Sequence, residues 1–198
     1  MKQIIFIKKS YFIFLITVLL STLSLAQSNA PRFSAGVMAL FGTGKMGNGL
    51  ADAPDRDMTF TPIDLFLGVN IKKFRLGLNY DYMMVGQTTD PTTVANTNVS
   101  GTGAAPGIRL EYYDGKTSAG LVYRLSNTYN LDKITFSGNK AVYTGTGGLT
   151  IQFTRQIRNK IGLVLDYTTE TFSDSLTTGK VKWSRMGLGI VYSNFTGK

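Results

Sequence analysis

Eight stretches of this 198-residue chain carry an apolar side chain on every second position. The clearest pair runs Ile63, Leu65, Leu67, Val69, Ile71 and then, after Lys72-Lys73, Phe74, Leu76, Leu78, Tyr80, Tyr82, with Asp64, Asn70, Arg75, Asn79 and Asp81 interleaved. A period of two puts successive side chains on opposite faces, so each stretch is a strand with one apolar and one polar face. The pattern predicts strands at 32–42, 59–71, 74–85, 104–113, 116–126, 142–157, 161–170 and 183–195. The connections, 43–58, 72–73, 86–103, 114–115, 127–141, 158–160 and 171–182, run alternately long and short, which puts the short ones on one side of the sheet.

The short connections also predict registers. Asp114-Gly115 is a two-residue hairpin signal. Centring the turn there places Tyr113 opposite Lys116, Leu110 opposite Ala119, Ile108 opposite Leu121, Glu111 opposite Ser118 and Arg109 opposite Gly120. The Lys72-Lys73 turn pairs Val69 with Leu76 and Leu67 with Leu78. A three-residue turn, Arg158-Asn159-Lys160, pairs Phe153 with Leu165, Ile151 with Tyr167 and Gln152 with Asp166. A slip by one residue would scramble every pair, so three hairpins in agreement are strong support for the strand assignment.

Which face is inside follows from the charges. The polar face collects Asp64, Asp81, Glu111, Asp166 and Glu170 with Arg75, Arg109, Arg124 and Arg185, while the aliphatic face is continuous over seven strands. A soluble barrel would have to crowd Tyr80, Tyr82, Tyr112, Tyr123, Tyr167 and Tyr192 into a narrow interior together with the aliphatic residues. A membrane barrel turns the same face to lipid, with those tyrosines late in their strands as interfacial girdles, and keeps the charges in the lumen as a structural ionic network. The expected architecture is an all-β, eight-stranded antiparallel up-and-down transmembrane barrel.

The N-terminus fits export. Lys2, Lys8 and Lys9 precede an apolar run from Tyr11 to Leu20, and Ser24-Leu25-Ala26 is a small-x-small cleavage pattern, so residues 1–26 read as a signal peptide and 27–198 as one barrel domain. The run softens at Ser21 and Thr22, short of the roughly 20 apolar residues of a spanning helix. Removing it lowers the formal charge from +9 to +6, because three lysines and no acids precede Gln27. The remaining excess is scattered over turns, which suits contact with anionic lipid head groups and not a clustered nucleic-acid face.

At this point the chain resembles the small eight-stranded outer-membrane barrels of Gram-negative bacteria, the group of the OmpA transmembrane domain, OmpX and OmpW. The resemblance spans the whole of 27–198 and rests on strand number, the alternation of loops and turns, and the last strand. Within that strand Gly187, Ile190 and Tyr192 are similar to the C-terminal assembly signal of such proteins, and this chain continues to Phe195 and beyond. The resemblance implies the cell outer membrane as location, with lipid and lipopolysaccharide around the wall and the barrel assembly machinery as a partner during insertion.

Three function classes remain. Enzymatic chemistry is disfavoured: the chain has no histidine and no cysteine, and an activated hydroxyl or water needs a base near neutrality. No cofactor motif is present, since Gly42-Thr43-Gly44-Lys45 lacks the flanking residues of a phosphate loop, and no metal is expected, because Asp52, Asp55 and Asp57 do not have the spacing of a calcium loop. Bulk transport is disfavoured because eight strands enclose an interior that side chains fill. A conduit or binding site for small hydrophobic molecules, resembling OmpW, is the alternative, supported by the inward Met38, Leu40, Phe66 and Val122. The expectation adopted is a structural or surface-interaction role through the long loops. In 127–141 the alternation of Tyr129, Leu131, Ile134 and Phe136 predicts a projecting hairpin whose exposed edge could pair with an extracellular partner.

Overall fold

The computed structural model describes residues 32–47, 56–87, 100–131, 141–174 and 180–193. The chain divides into two compact units, Met1–Arg32 and Phe33–Lys198, and the second is the barrel. Its strands are β1 (Arg32–Met46), β2 (Arg56–Ile71), β3 (Phe74–Gln87), β4 (Ser100–Asp114), β5 (Thr117–Arg124), β6 (Asn127–Leu131), β7 (Ala141–Arg158), β8 (Ile161–Asp174) and β9 (Lys180–Ser193). Because β5 and β6 are two segments of one wall position, the nine segments make eight strands. Each strand pairs with its sequence neighbours, and β9 pairs with β1 to close the sheet. Closure leaves no free edge in the wall.

The side-chain alternation is regular along β5, which alternates exposed and buried at every residue, and along β9, which departs from that rhythm only at half-buried Ser184 and Gly189. Leu65, Leu67, Leu78, Tyr80, Leu121, Tyr123, Leu165, Tyr167, Leu188 and Ile190 all face outward and are exposed. Asp64, Asp81, Arg124, Asp166 and Arg185 face inward and are buried. Outward aromatic residues stand near the short turns (Phe74, Tyr112 and Tyr192), farther along (Tyr80, Tyr82, Tyr123 and Tyr167) and between the two (Phe41 and Phe153).

Two of the three expected hairpin registers are present. Val69 pairs with Leu76 and Leu67 with Leu78, while Phe153 pairs with Leu165, Ile151 with Tyr167 and Gln152 with Asp166. The turn of the latter hairpin is two residues long, not three: Arg158 pairs with Ile161, and a bulge between Gln156 and Arg158 absorbs the extra residue.

The third register differs. Asp114 pairs with Thr117, so the turn is Gly115-Lys116, and Leu110 faces Leu121, Ile108 faces Tyr123, Glu111 faces Gly120 and Arg109 faces Val122. The reason lies in the backbone. Gly115 alone in this turn takes a positive φ, of 62°, which is the pattern of a type II′ turn with glycine at its first central position. Moving the turn by one residue moves each partner by two, so the faces are unchanged.

The edge expected at 127–141 is absent over the described part. β6 pairs with Gly101–Ala104 of β4 on one side and with Ala141–Gly145 of β7 on the other. Tyr129 and Leu131 point into the barrel with no exposed surface. Ile134 and Phe136 lie outside the described residues, as do Asp52, Asp55 and Phe195.

Candidate functional site

Among the described residues the lumen gathers the buried charged side chains, and its contents change along the barrel axis. Nearest the short turns is a three-residue ion cluster. Glu111 accepts from Arg75 Nη1 at 3.1 Å and Arg109 Nε at 3.0 Å, and Ser118 donates to its other oxygen. Arg75 Nε donates to Asn70 Oδ1 at 3.0 Å, and both guanidinium groups stack on the Phe66 ring, 5.4 and 4.7 Å from its centre. The antiparallel register of β3 and β4 brings these groups together, since Arg75 is directly opposite Glu111. Every buried charge here is therefore paired and hydrogen-bonded, the condition under which burial is tolerated.

Farther along, Asp64 sits opposite Asp81 across the β2–β3 pair. The two carboxylates do not stand alone: Arg124 Nη1 lies 2.6 Å and Arg185 Nη2 2.8 Å from Asp81 Oδ2. Arg124 Nε reaches Glu170 Oε1 at 3.2 Å, and Arg185 Nη1 lies 3.6 Å from Asp166 Oδ2. Asp64 accepts from Gln152 Nε2 at 3.2 Å. In the order of strands around the barrel, β2 and β7 are four positions apart in either direction, so this last bond crosses the full diameter. An eight-stranded wall is narrow enough for side chains to meet at its centre.

Above the second cluster the lumen turns apolar. Phe60, Tyr129, Tyr143, Phe172 and Trp183 interlock with Met46, Met58, Met83, Val85, Leu131 and Val181, all at most 2% exposed. Trp183 is the hub: its ring lies 4.6 Å from Phe172, 4.9 Å from Tyr129 and 5.5 Å from Tyr143, within the range in which aromatic pairs attract. Glu170 joins the two layers. It is opposite Trp183 in register, and it accepts hydrogen bonds from Asn127 Nδ2 at 3.1 Å and from the Tyr129 hydroxyl at 3.2 Å.

The seam between the layers coincides with a break in the wall. β5 ends at Arg124, Leu125-Ser126 intervene, and inward positions resume at Asn127 with the phase shifted by one. On the facing strand the register to β8 shifts between Gly145 and Gly148. The two irregularities oppose each other, with Arg124 paired to Gly148 and Asn127 to Gly145. At Gly148 an added Cβ would lie 2.7 Å from Glu170 Cγ, so a larger residue there would displace the Glu170 side chain.

All nine charged residues singled out from the sequence thus line the lumen, in two clusters. The smaller apolar group is also inward: Met38, Leu40, Phe66, Val164 and Val191 pack together at the turn end, with Val122 buried nearby. Sequence reasoning missed the aromatic layer. Its signal was present in Phe60, Phe172 and Trp183, which occupy the same phase as the inward charges of their own strands. Of the assembly-signal residues, Gly187 faces inward opposite Asp166, and Ile190 and Tyr192 face outward on the strand that closes the barrel. Among the described residues, no group of three histidine, cysteine or acidic side chains is arranged to hold a metal ion.

No family model and no curated protein matches this chain. Solved structures do. Neisserial surface protein A aligns over 81% of this chain and 97% of its own, at 14% identity and a TM-score of 0.58. Ail, the attachment invasion locus protein of Yersinia pestis, aligns over 82% and 98%, at 9% identity and a TM-score of 0.56. Ail in complex with the heparin analogue sucrose octasulfate gives 82%, 99%, 8% and 0.53. The fold of this chain is that of the small eight-stranded outer-membrane barrels.

Proposed function

We propose that this protein spans the cell outer membrane as a closed barrel, exported by the signal peptide at 1–26, and that it acts as a structural or surface-interaction protein through its long connections. The band of exposed leucine, isoleucine and tyrosine around the wall supports the membrane reading, since a surface of that size turned to water would be a liability. The short turns then face the periplasm and the long connections the exterior.

The single observation that carries the closed state is the Gln152–Asp64 hydrogen bond across the full diameter, packed on either side by the two arginine clusters. A barrel with this lumen does not conduct, and what it offers to the cell lies at its outer end. Planar-bilayer recording of the purified protein tests this: no steady conductance is expected, and a steady open level overturns the reading. The conduit for small hydrophobic molecules has one specific observation in its favour, the aromatic and methionine layer at the outer mouth. An apolar fluorophore that brightens on binding the parent protein, and that no longer does so with Trp183→Ala, would favour it.

A further inference from the structure

The outward-facing charges near the loop end are not spread evenly around the wall. Lys45 on β1 and Lys180 and Lys182 on β9 are exposed on adjoining strands, Asp57 is exposed at the loop end of β2 on the other side of β1, and the corresponding outward positions of β4, β6, β7 and β8 are Thr102, Thr128, Asn130, Thr144, Thr171 and Ser173. None of the three lysines forms an ion pair among the described residues. Lys45 is directly opposite Ser184, and the Gly47 N–H bonds the Lys182 carbonyl, so Lys45 and Lys182 are diagonal neighbours across β1 and β9. Such neighbours stand roughly 7 to 8 Å apart, a spacing at which two like charges repel unless an anion lies between them.

Lys45 and Lys182 border a groove of about 680 Å³ that runs across β1, β9, β8, β7 and β5, with Glu170 and Trp183 also in its lining. Ser184, Thr169 and Thr171 supply hydroxyl groups along it, and Tyr123 and Leu149 close its far side. Gly147, at the wall irregularity, keeps it open: a Cβ there would stand 3.3 Å from the Tyr123 hydroxyl. On the turn side the groove runs into exposed apolar surface, with Tyr167 paired to Met186 and Leu165 to Leu188. A basic, hydroxyl-lined rim directly above an apolar band matches one chemistry, an anionic head group joined to acyl chains.

We propose that this groove holds the phosphate of an outer-leaflet lipid between Lys45 and Lys182, with its acyl chains laid along Leu149, Tyr167 and Met186. The proposal rests on the membrane reading. The lysine ammonium groups and the Ser184 and Thr169 hydroxyls donate to the phosphate oxygens, and the apolar band makes a lipid a better occupant than a soluble anion.

Native mass spectrometry of the detergent-purified protein tests it, with diphosphorylated lipid A, the same lipid stripped of phosphate, and inorganic phosphate as probes. The parent is expected to retain the diphosphorylated lipid, and the Lys45→Ala/Lys182→Ala variant to lose affinity by roughly 30-fold, the product of two basic residues at an anionic surface. Lys45→Arg/Lys182→Arg should restore it. Unchanged folded migration on unboiled gels keeps loss of fold out of the comparison. Equal retention by the alanine variant, equal retention of the stripped lipid, or displacement by inorganic phosphate or by a soluble heparin fragment would overturn the proposal. Flotation with liposomes separates the two readings: a parent that fails to float sinks the membrane reading, whereas one that floats without retaining the lipid sinks only this site.

Discussion

On β8, Leu165 and Tyr167 face outward and Asp166 faces in, whereas a few residues later Thr171 faces outward and Phe172 faces in. The same exchange occurs on β2, from Leu65 outside and Asp64 inside to Thr59 outside and Phe60 inside, and on β9, from Leu188 outside and Arg185 inside to Lys182 outside and Val181 inside. The turn-side part of the barrel is apolar outside and holds both ion clusters inside beside a small apolar group, and the loop-side part is polar outside and aromatic inside. In the membrane setting proposed above, one wall serves two solvents. Surrounded by hydrocarbon, the turn-side part places its polar groups where they satisfy one another. Surrounded by water, the loop-side part is built as a soluble barrel with its own apolar core, stabilised by burial at about 25 cal/mol per Å². In that setting the core gives the long connections a rigid base beyond the bilayer.

The largest expected effect comes from breaking the ionic side. Arg124 touches Asp81, Glu170 and Thr150, so Arg124→Ala leaves two buried carboxylates short of a partner and should lower stability in detergent by about 3 to 5 kcal/mol, less if water enters the lumen. A denaturant midpoint equal to the parent's would mean that the clusters do not hold the lumen together.

The outer wall gives a paired test of the two solvents. Leu165 lies near the middle of the apolar band, so Leu165→Arg should cost about 2 to 4 kcal/mol in a bilayer, while Thr171→Arg, beyond the band, should cost about 0 to 1 kcal/mol. Similar costs at the two positions would erase the distinction.

At the seam, Tyr129→Phe removes the hydroxyl that donates to Glu170 and keeps the ring against Trp183. A loss of about 1 to 3 kcal/mol is expected from the buried carboxylate, and no loss would show that the layers are energetically separate.

The smallest effect belongs to the short-turn end of the barrel. The Lys73 amine bonds Asp114 at 2.9 Å, and this hydrogen bond together with the charge of Asp114 raises the Lys73 pKa above the ordinary lysine value. A raised pKa stabilises fully below the ordinary lysine value and is lost only as pH climbs through the folded one. Because both side chains are mostly exposed, Asp114→Asn should leave the unfolding midpoint unchanged at about pH 6 to 9.

These regions were not equally legible in the sequence. Alternation over eight to ten residues specified the eight wall positions and the inward phase of all nine lumen charges, because a period of two has a single structural meaning on a wall of this kind, but it left β6 inside the connection expected at 127–141 and started β4 and β9 at 104 and 183 where they begin at 100 and 180. The turn at 114–117 was not fixed, since Asp-Gly and Gly-Lys are both reasonable central pairs and only the positive φ of Gly115 chooses between them. The aromatic layer was hidden by the inversion itself. In Met58-Thr59-Phe60-Thr61-Pro62-Ile63-Asp64-Leu65 the apolar residues move from even to odd positions, which reads as a slip or a strand end, yet the β2–β3 register runs unbroken from Met58 to Ile71. At 125–126 the reverse holds: the phase shifts because the wall bulges, and the buried side of the barrel stays the same.

The most direct test of the inversion uses the absence of cysteine from this chain. Single cysteines along β8, at Leu163, Leu165, Tyr167, Thr169, Thr171, Phe172 and Ser173, can be placed in a bilayer and challenged with a membrane-impermeant maleimide. Leu163, Leu165 and Tyr167 should be protected, reactivity should appear between Thr169 and Thr171 and persist at Ser173, and Phe172 should stay unreactive inside the barrel. Protection at Thr171 and Ser173 equal to that at Leu165, or labelling at Phe172 as fast as at Thr171, would contradict a wall that changes solvent along its length.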